Sequence, residues 1–128
     1  MRISRDGLVY VCDRGANRVQ AFRKDGTFVN ELVIAKNTVL TGSTWDLDFT
    51  PDQKFLLIAD GANQKVWIAQ RDSMKVVGSF GRAGRSAGQF LWLNGIAVDS
   101  KGNVFVGEVT GGNRVQKFMP ARRADSRR

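Results

Sequence analysis

Three carboxylates, each followed by a cation, recur at regular intervals in this chain. The carboxylates are Asp13, Asp60 and Glu108, and the cations that follow them are Arg18, Lys65 and Arg114. A carboxylate in this setting can accept hydrogen bonds from loop amides, and the cation can pair with it or with a neighbouring unit. Because the same groups recur in every unit, we expect a structural role for them and look for function where the units differ.

Two further polar residues could provide oxygen ligands for a divalent cation. Asp46 and Asn94 each lie at the start of a predicted strand, and carboxylate and amide oxygens are ligands that Ca²⁺ and Mg²⁺ prefer. Their alternative role is to cap turns or to bind loop amides, and we favour this role. We therefore expect no bound cofactor, with a calcium site at Asp46 and Asn94 as the alternative.

The composition restricts zinc and thiol chemistry. The chain has no histidine and a single cysteine, Cys12, so zinc held by imidazole ligands is excluded within this chain. Cys12 lies in an apolar run, where a small buried hydrophobic side chain is a commoner role than a reactive thiol. The sequence shows no convincing catalytic triad or phosphate-binding loop.

The formal net charge is +8, and part of it lies at the C-terminal end. Residues 119–128 hold four arginines, which are Arg122, Arg123, Arg127 and Arg128. We expect this segment to be a disordered basic tail that could contact a polyanion. The other cations are scattered and are not interleaved with aromatic residues, so we do not favour nucleic acid as a partner.

Short strands are the elements that must position these groups. Each carboxylate ends an apolar run rich in Val, Ile and Phe, and a second strand begins at each cation. No segment shows the sustained apolar spacing of three and four that is typical of a helix. Leading strands are predicted at 44–49 and 95–99, and outer strands at 27–34 and 74–80. Each complete unit is therefore predicted to be a four-stranded antiparallel meander, and the repeat of about 48 residues is typical of a β-propeller blade.

The length of the chain predicts an all-β propeller fragment of about 2.5–3 blades, or half a propeller. We place the propeller at 1–118, with blades at about 1–42, 43–90 and 91–118, and the basic tail at 119–128. Strands that are apolar at successive positions must be covered on both faces, as happens where blades stack. A half ring leaves two uncovered blade faces and an unpaired sheet edge, so the chain either self-associates or is a piece of a longer propeller.

Four motifs in the third unit closely resemble an NHL repeat. They are GRAGRSAGQF at 81–90, NGIAVD at 94–99, GNVFV at 102–106 and NRVQKF at 113–118. The resemblance covers about 5–118 and implies a six-bladed β-propeller, most similar to the bacterial branch related to peptidylglycine alpha-amidating lyase. In that lyase histidines near the propeller axis hold zinc, and Asn94 stands where one of them would be. Lactonase-like propellers hold a divalent cation on oxygen ligands instead, which is the alternative role given above for Asp46 and Asn94.

Together these features predict a non-catalytic interaction or assembly scaffold that closes a ring by self-association. We expect a homodimer or higher oligomer whose apolar interface is formed by blades one and three, and which could also bind a protein ligand. The alternatives are a partial or degenerate lyase- or lactonase-like enzyme with an oxygen-ligand metal site, and an RNA-binding propeller face. Neither a signal peptide nor a membrane-spanning apolar stretch is recognisable, so we expect a soluble protein of unassigned compartment.

Overall fold

The computed structural model describes residues 1–121 and folds them almost entirely into β-strands. Within this range one turn of 3-10 helix, Arg14–Ala16, separates the second and third strands. No helix there is long and apolar enough to cross a membrane. The strands are β1 (Arg2–Ile3), β2 (Val9–Asp13), β3 (Arg18–Phe22), β4 (Phe28–Val33), β5 (Asp46–Phe49), β6 (Phe55–Asp60), β7 (Lys65–Gln70), β8 (Lys75–Phe80), β9 (Arg82–Ala83), β10 (Gln89–Phe90), β11 (Leu93–Val98), β12 (Val104–Glu108) and β13 (Arg114–Phe118).

The strands form three antiparallel meanders that follow one another along the chain. Blade one consists of β1 to β4, blade two of β5 to β8, and blade three of β11 to β13. The short strands β9 and β10 pair in parallel in the segment that joins blades two and three. This confirms the predicted all-β fold of four-stranded antiparallel blades. As predicted, blade three has three strands, and among residues 1–121 no strand pairs with the outer edge of β13.

Two hydrophobic clusters lie where neighbouring blades meet. The first interface, between blades one and two, is formed by Tyr10, Val19, Ala21, Leu32, Ile34, Leu47, Phe49, Leu56, Ile58, Ala69 and Met74. The second interface, between blades two and three, is formed by Leu57, Ala59, Val66, Phe90, Leu93, Ile96, Val104 and Val106. Burying a leucine- or isoleucine-sized side chain contributes about 1.5–3 kcal/mol, so these interfaces hold the blades together.

Strand β6 shows why its sequence is apolar at successive positions. Side chains alternate between the two faces of a strand, and here Leu56 and Ile58 enter the first interface while Leu57 and Ala59 enter the second. The expectation that both faces of such a strand are covered by stacked blades is therefore met in blade two.

The leading strands differ from their predicted limits for a specific reason. The strand predicted at 44–49 begins at Asp46, because Ser43 and Thr44 bind blade one. The Ser43 hydroxyl donates to the Ile34 carbonyl at 2.6 Å, and the Thr44 hydroxyl donates to the Arg18 carbonyl at 2.9 Å. These hydrogen bonds join the segment that enters blade two to blade one. Ser43 and Thr44 are therefore buried, although they do not pair with β6.

Candidate functional site

The innermost strands of the three blades meet at a pair of carboxylates. Asp46 accepts a hydrogen bond from the Ile96 amide at 3.0 Å, and Asp48 accepts one from the Val98 amide at 2.8 Å. The Arg2 guanidinium lies 3.9 Å from the Asp46 carboxylate and 3.7 Å from that of Asp48. The two acids therefore bind the backbone of β11 on one side and a cation of β1 on the other.

The two residues considered as metal ligands have different surroundings. Asp46 uses its carboxylate to hold β11, as just described. Asn94 is exposed and lies in the irregular step of the ladder between Leu93 and Gly95. Within residues 1–121 no group of three or more Asp, Glu or Cys side chains has a metal-binding arrangement. The structure thus gives Asp46 a blade-joining role.

In blades one and three the repeated carboxylate forms an ion pair with the repeated arginine directly across the sheet. The Arg18 Nε lies 2.8 Å from the Asp13 carboxylate, and the Arg114 Nε lies 2.6 Å from that of Glu108. The Asp13 side chain is 38% exposed, whereas that of Glu108 is fully buried. Burial tends to raise the pKa of Glu108, but hydrogen bonds from Arg114, the Leu91 amide and Gln116 outweigh it and lower the pKa below its usual value.

In blade two the same position has a different set of partners. Asp60 is fully buried and accepts hydrogen bonds from the Trp67 indole at 2.9 Å and from the Asn63 side chain at 2.7 Å. The backbone N–H of Asn63 also donates to the Asp60 carboxylate, at 2.9 Å. Lys65 pairs across the sheet with Asp60 by register, but its ammonium lies over the Trp67 ring, 5.1 Å from the centroid. An indole therefore takes the place that an arginine has in the other two blades.

The outward faces of blades one and three carry apolar side chains without a neighbouring blade. On blade three, Val115 is 70% exposed, although the equivalent Val19 and Val66 are fully buried in the two interfaces. On blade one, a row of cross-strand partners runs along the sheet, formed by Ile3, Val9, Phe22 and Phe28. Ile3 and Phe28, at the ends of this row, are both more than half exposed. We call these surfaces the outer face of blade one and the outer face of blade three.

Comparison with known proteins identifies the repeat in blade three. The NHL repeat model matches residues 90–118, which cover β11 to β13. Residues 90–118 are an NHL repeat. It is 34% identical over 121 residues to human NHL repeat-containing protein 3, in a match that covers 89% of this chain and 33% of that protein. The chain thus spans about a third of the length of this relative, and the predicted resemblance to an NHL repeat is confirmed.

Solved structures show the same propeller architecture at low sequence identity. A streptogramin B lyase matches 93% of this chain and 39% of its own, with a TM-score of 0.65 and 12% identity. Hydrazine synthase of Kuenenia stuttgartiensis matches 80% of this chain and 26% of its own, with a TM-score of 0.63 and 14% identity. Virginiamycin B lyase from Staphylococcus aureus matches 93% of this chain and 40% of its own, with a TM-score of 0.63 and 13% identity. At this identity the likeness concerns the fold alone.

The motif at the start of the NHL repeat is a loop held by β13. The Arg114 guanidinium donates to the carbonyls of Arg85, Ser86 and Gln89, at 2.7 to 3.2 Å. The Gln116 side chain accepts from the Gly88 amide at 3.0 Å and donates to the Gln89 carbonyl at 2.7 Å. The arginine and glutamine of NRVQKF therefore bind the backbone of the loop and join the two motifs.

A second repeated position, which the sequence analysis missed, joins successive NHL-type blades. The residue before each cation has a left-handed backbone conformation and an amide side chain, namely Asn17, Gln64 and Asn113. Asn17 accepts from the Ser43 amide at 2.9 Å, and Gln64 accepts from the Trp92 amide at 2.7 Å. Each amide thus holds the segment that enters the next blade. The signal was present in the sequence, because an Asn or Gln precedes the cation in all three units.

The single cysteine and the tryptophans occupy packed surroundings. Cys12 is half-buried against the first interface, and burial raises the pKa of its thiol to about 11. Trp45 and Trp92 lie 6.0 Å apart, centroid to centroid, where the chain enters blades two and three. The Arg14 guanidinium lies over the Trp45 ring at 4.5 Å. The tail arginines considered for polyanion contact, Arg122, Arg123, Arg127 and Arg128, lie outside the described residues.

Proposed function

We propose that this NHL-repeat chain is a non-catalytic assembly module, in which the outer face of blade three of one copy binds the outer face of blade one of another. The observation that carries the proposal is the contrast between Val115 and its equivalents. Val115 is 70% exposed, and Val19 and Val66 are 0% exposed because the next blade covers them. Exposed apolar faces of this kind favour association.

The two outer faces are expected to be complementary, because each is the repeat equivalent of a face that packs against a neighbouring blade. The outer face of blade three is equivalent to the faces with which blades one and two meet the blade that follows them. The outer face of blade one is equivalent to the faces with which blades two and three meet the blade before them. Ile3 pairs with Val9 as Phe49 pairs with Leu56. A head-to-tail contact between copies would therefore repeat the packing of the two internal interfaces.

Symmetry decides what such a contact builds. A head-to-tail interface forms a closed ring when the rotation between copies closes, and an open filament when it does not. Two copies of three blades supply about six blades, which lies within the range of closed propellers of about four to eight. We therefore propose a homodimeric ring, in which blades one and three both form apolar contacts with the partner copy.

The mass of the protein in solution tests this function. We expect a dimer by light scattering at micromolar concentrations, and a monomer for Val115→Glu, because a buried unpaired carboxylate is strongly unfavourable. Val39→Glu is the matched control, since Val39 is 73% exposed in the loop between β4 and β5 and belongs to neither outer face. It should remain dimeric. A stable, non-aggregating monomer of the unaltered chain would contradict the proposal.

A further inference from the structure

The loop that links blades one and two presents two aliphatic side chains to solvent. It runs over residues 34–45, between β4 and β5, and we call it the linking loop. Val39 is 73% exposed and Leu40 is 97% exposed, the highest exposure of any large hydrophobic side chain in residues 1–121. We call this pair the apolar tip. Neither residue belongs to a blade interface or to an outer face, so the stacking of blades does not account for the pair.

Hydrogen bonds hold the base of the linking loop against both blades. The Asn17 side chain of blade one donates to the carbonyls of Lys36 and Thr38, at 3.3 and 2.9 Å. The Asn63 side chain of blade two donates to the Thr38 hydroxyl at 3.0 Å. Leu40 has a positive φ of 64°, which is uncommon for a bulky residue. The apolar tip thus extends from a base that is held in place.

The two ends of the blades differ in charge. The antiparallel strand order places five connections at the end that carries the linking loop, namely residues 14–17, 34–45, 61–64, 81–92 and 109–113. These connections contain four cations and no Asp or Glu. The connections at the opposite end, residues 4–8, 23–27, 50–54, 71–74 and 99–103, contain five aspartates and six cations. The excess of positive charge therefore lies at the end that carries the apolar tip.

The cations in the connections at this end are exposed. They are Arg14, Lys36, Arg82 and Arg85. Within residues 1–121 none of them belongs to an ion pair. The repeated carboxylates at this end are already bound, Asp13 and Glu108 by arginines and Asp60 by an indole. The same connections carry Trp92, which is 39% exposed. Basic, aliphatic and indole side chains are thus exposed together at one end of the blades.

We propose that this end of the blades binds the surface of an anionic lipid bilayer, with the apolar tip inserted among the acyl chains and the four cations at the lipid phosphates. Apolar insertion and attraction to anionic headgroups act together in peripheral membrane binding, which requires no spanning segment. Indole rings favour the same interfacial depth. The apolar tip favours lipid over nucleic acid, because aliphatic side chains offer no ring on which a base can stack. The contact leaves both outer faces free and is therefore independent of the proposed ring.

Co-sedimentation of the full-length chain with lipid vesicles tests this contact. We expect binding to vesicles of two parts phosphatidylcholine to one part phosphatidylserine, and much weaker binding to vesicles of phosphatidylcholine alone. Leu40→Asp should weaken binding about tenfold or more, because a charged side chain does not enter the acyl region. The variant should fold, since aspartate accepts a left-handed backbone more readily than leucine. Val77→Asp is the matched control, because Val77 is 54% exposed in the middle of β8, and it should bind as the unaltered chain does.

A second variant tests the contribution of charge. Lys36→Glu should weaken binding to the mixed vesicles several-fold at low salt and by a smaller factor at high salt, because salt screens the attraction to anionic headgroups. The Lys36 side chain is exposed and the hydrogen bond from Asn17 uses only its backbone carbonyl, so the linking loop should keep its conformation.

Three outcomes would overturn the proposal. The first is no binding to the mixed vesicles, or equal binding by the unaltered chain and Leu40→Asp. The second is retention of single-stranded RNA without vesicle binding, which would assign the cations to a nucleic acid. The third is loss of the dimer in Leu40→Asp by light scattering, which would assign the apolar tip to a second copy. A monomeric unaltered chain that binds the mixed vesicles through Leu40 would contradict the ring and support the lipid contact, so the two proposals fail separately.

Discussion

Blades one and two use the same carboxylate position in opposite ways. Asp13 is 38% exposed and pairs with the partly exposed Arg18. Asp60 is fully buried and binds the Trp67 indole and Asn63. Blade one lies against the face of blade two that carries Asp60, whereas within residues 1–121 no blade lies against the face of blade one that carries Asp13. The comparison indicates that a neighbouring blade on this face buries the repeated carboxylate, as it also does for Glu108 in blade three, and that burial gives the carboxylate its importance for stability.

The largest effect is expected at Asp60. In Asp60→Ala the half-buried Trp67 indole and the two N–H donors of Asn63 lose a fully buried, charged acceptor, and hydrogen bonds to charged groups are stronger than neutral ones. We expect the free energy of unfolding to fall by about 3 kcal/mol, measured by chemical denaturation. Trp67→Phe is the control that removes one of the donors instead of the acceptor, and it should cost clearly less. Equal losses in the two variants would contradict the role given to the buried carboxylate.

Glu108 separates burial from the identity of the partner, because it is buried like Asp60 and pairs with an arginine like Asp13. Glu108→Gln keeps the shape but removes the charge that Arg114 needs. We expect a loss of about 2 kcal/mol in chemical denaturation, between the other two positions, since hydrogen bonds to charged groups are stronger than neutral ones. A loss no larger than at Asp13 would show that burial does not matter at this position.

The same variant has a defined dependence on pH. The folded-state pKa of Glu108 is lowered, so its contribution is fully present above its unfolded-state pKa of about 4.3 and is lost as the pH falls through the folded-state value. We expect the difference in melting temperature between the unaltered chain and Glu108→Gln to be largest near neutral pH and to shrink in acid. A difference that grows as the pH falls would contradict the lowered pKa.

The smallest effect is expected at Asp13. Its ion pair with Arg18 is solvent-accessible on both sides, and such pairs contribute about 0–1 kcal/mol. Asp13→Ala should therefore reduce the free energy of unfolding by less than about 1 kcal/mol, and added salt should remove most of the difference. Urea denaturation at low and high salt measures both. A loss as large as that of Asp60→Ala would remove the distinction between the two blades.

The sequence predicted the blades well because each strand carries its own local signal. The strand β13 begins at the cation Arg114, as predicted, and the outer strand predicted at 27–34 is Phe28–Val33. Prediction was weaker where a side chain acts on a different blade. The pairing of Asp46 with the Ile96 amide, and the bonds of Asn17 and Gln64, depend on how blades stack. The repeated Asn or Gln marks such a position in the sequence, but it does not show which residue of the next blade it binds.

The unbroken apolar run of β6 does not by itself fix the register of this strand against its neighbours. In most strands a shift by one residue would turn apolar side chains to water, and this penalty fixes the register. Residues Leu56 to Ala59 would be buried on either face, so the penalty is absent in β6. Asp60, at the polar end of the strand, must then set the register, because its carboxylate reaches its hydrogen-bonding partners in one register only. We infer that this carboxylate both stabilises blade two and favours the observed register of β6 over the register shifted by one residue.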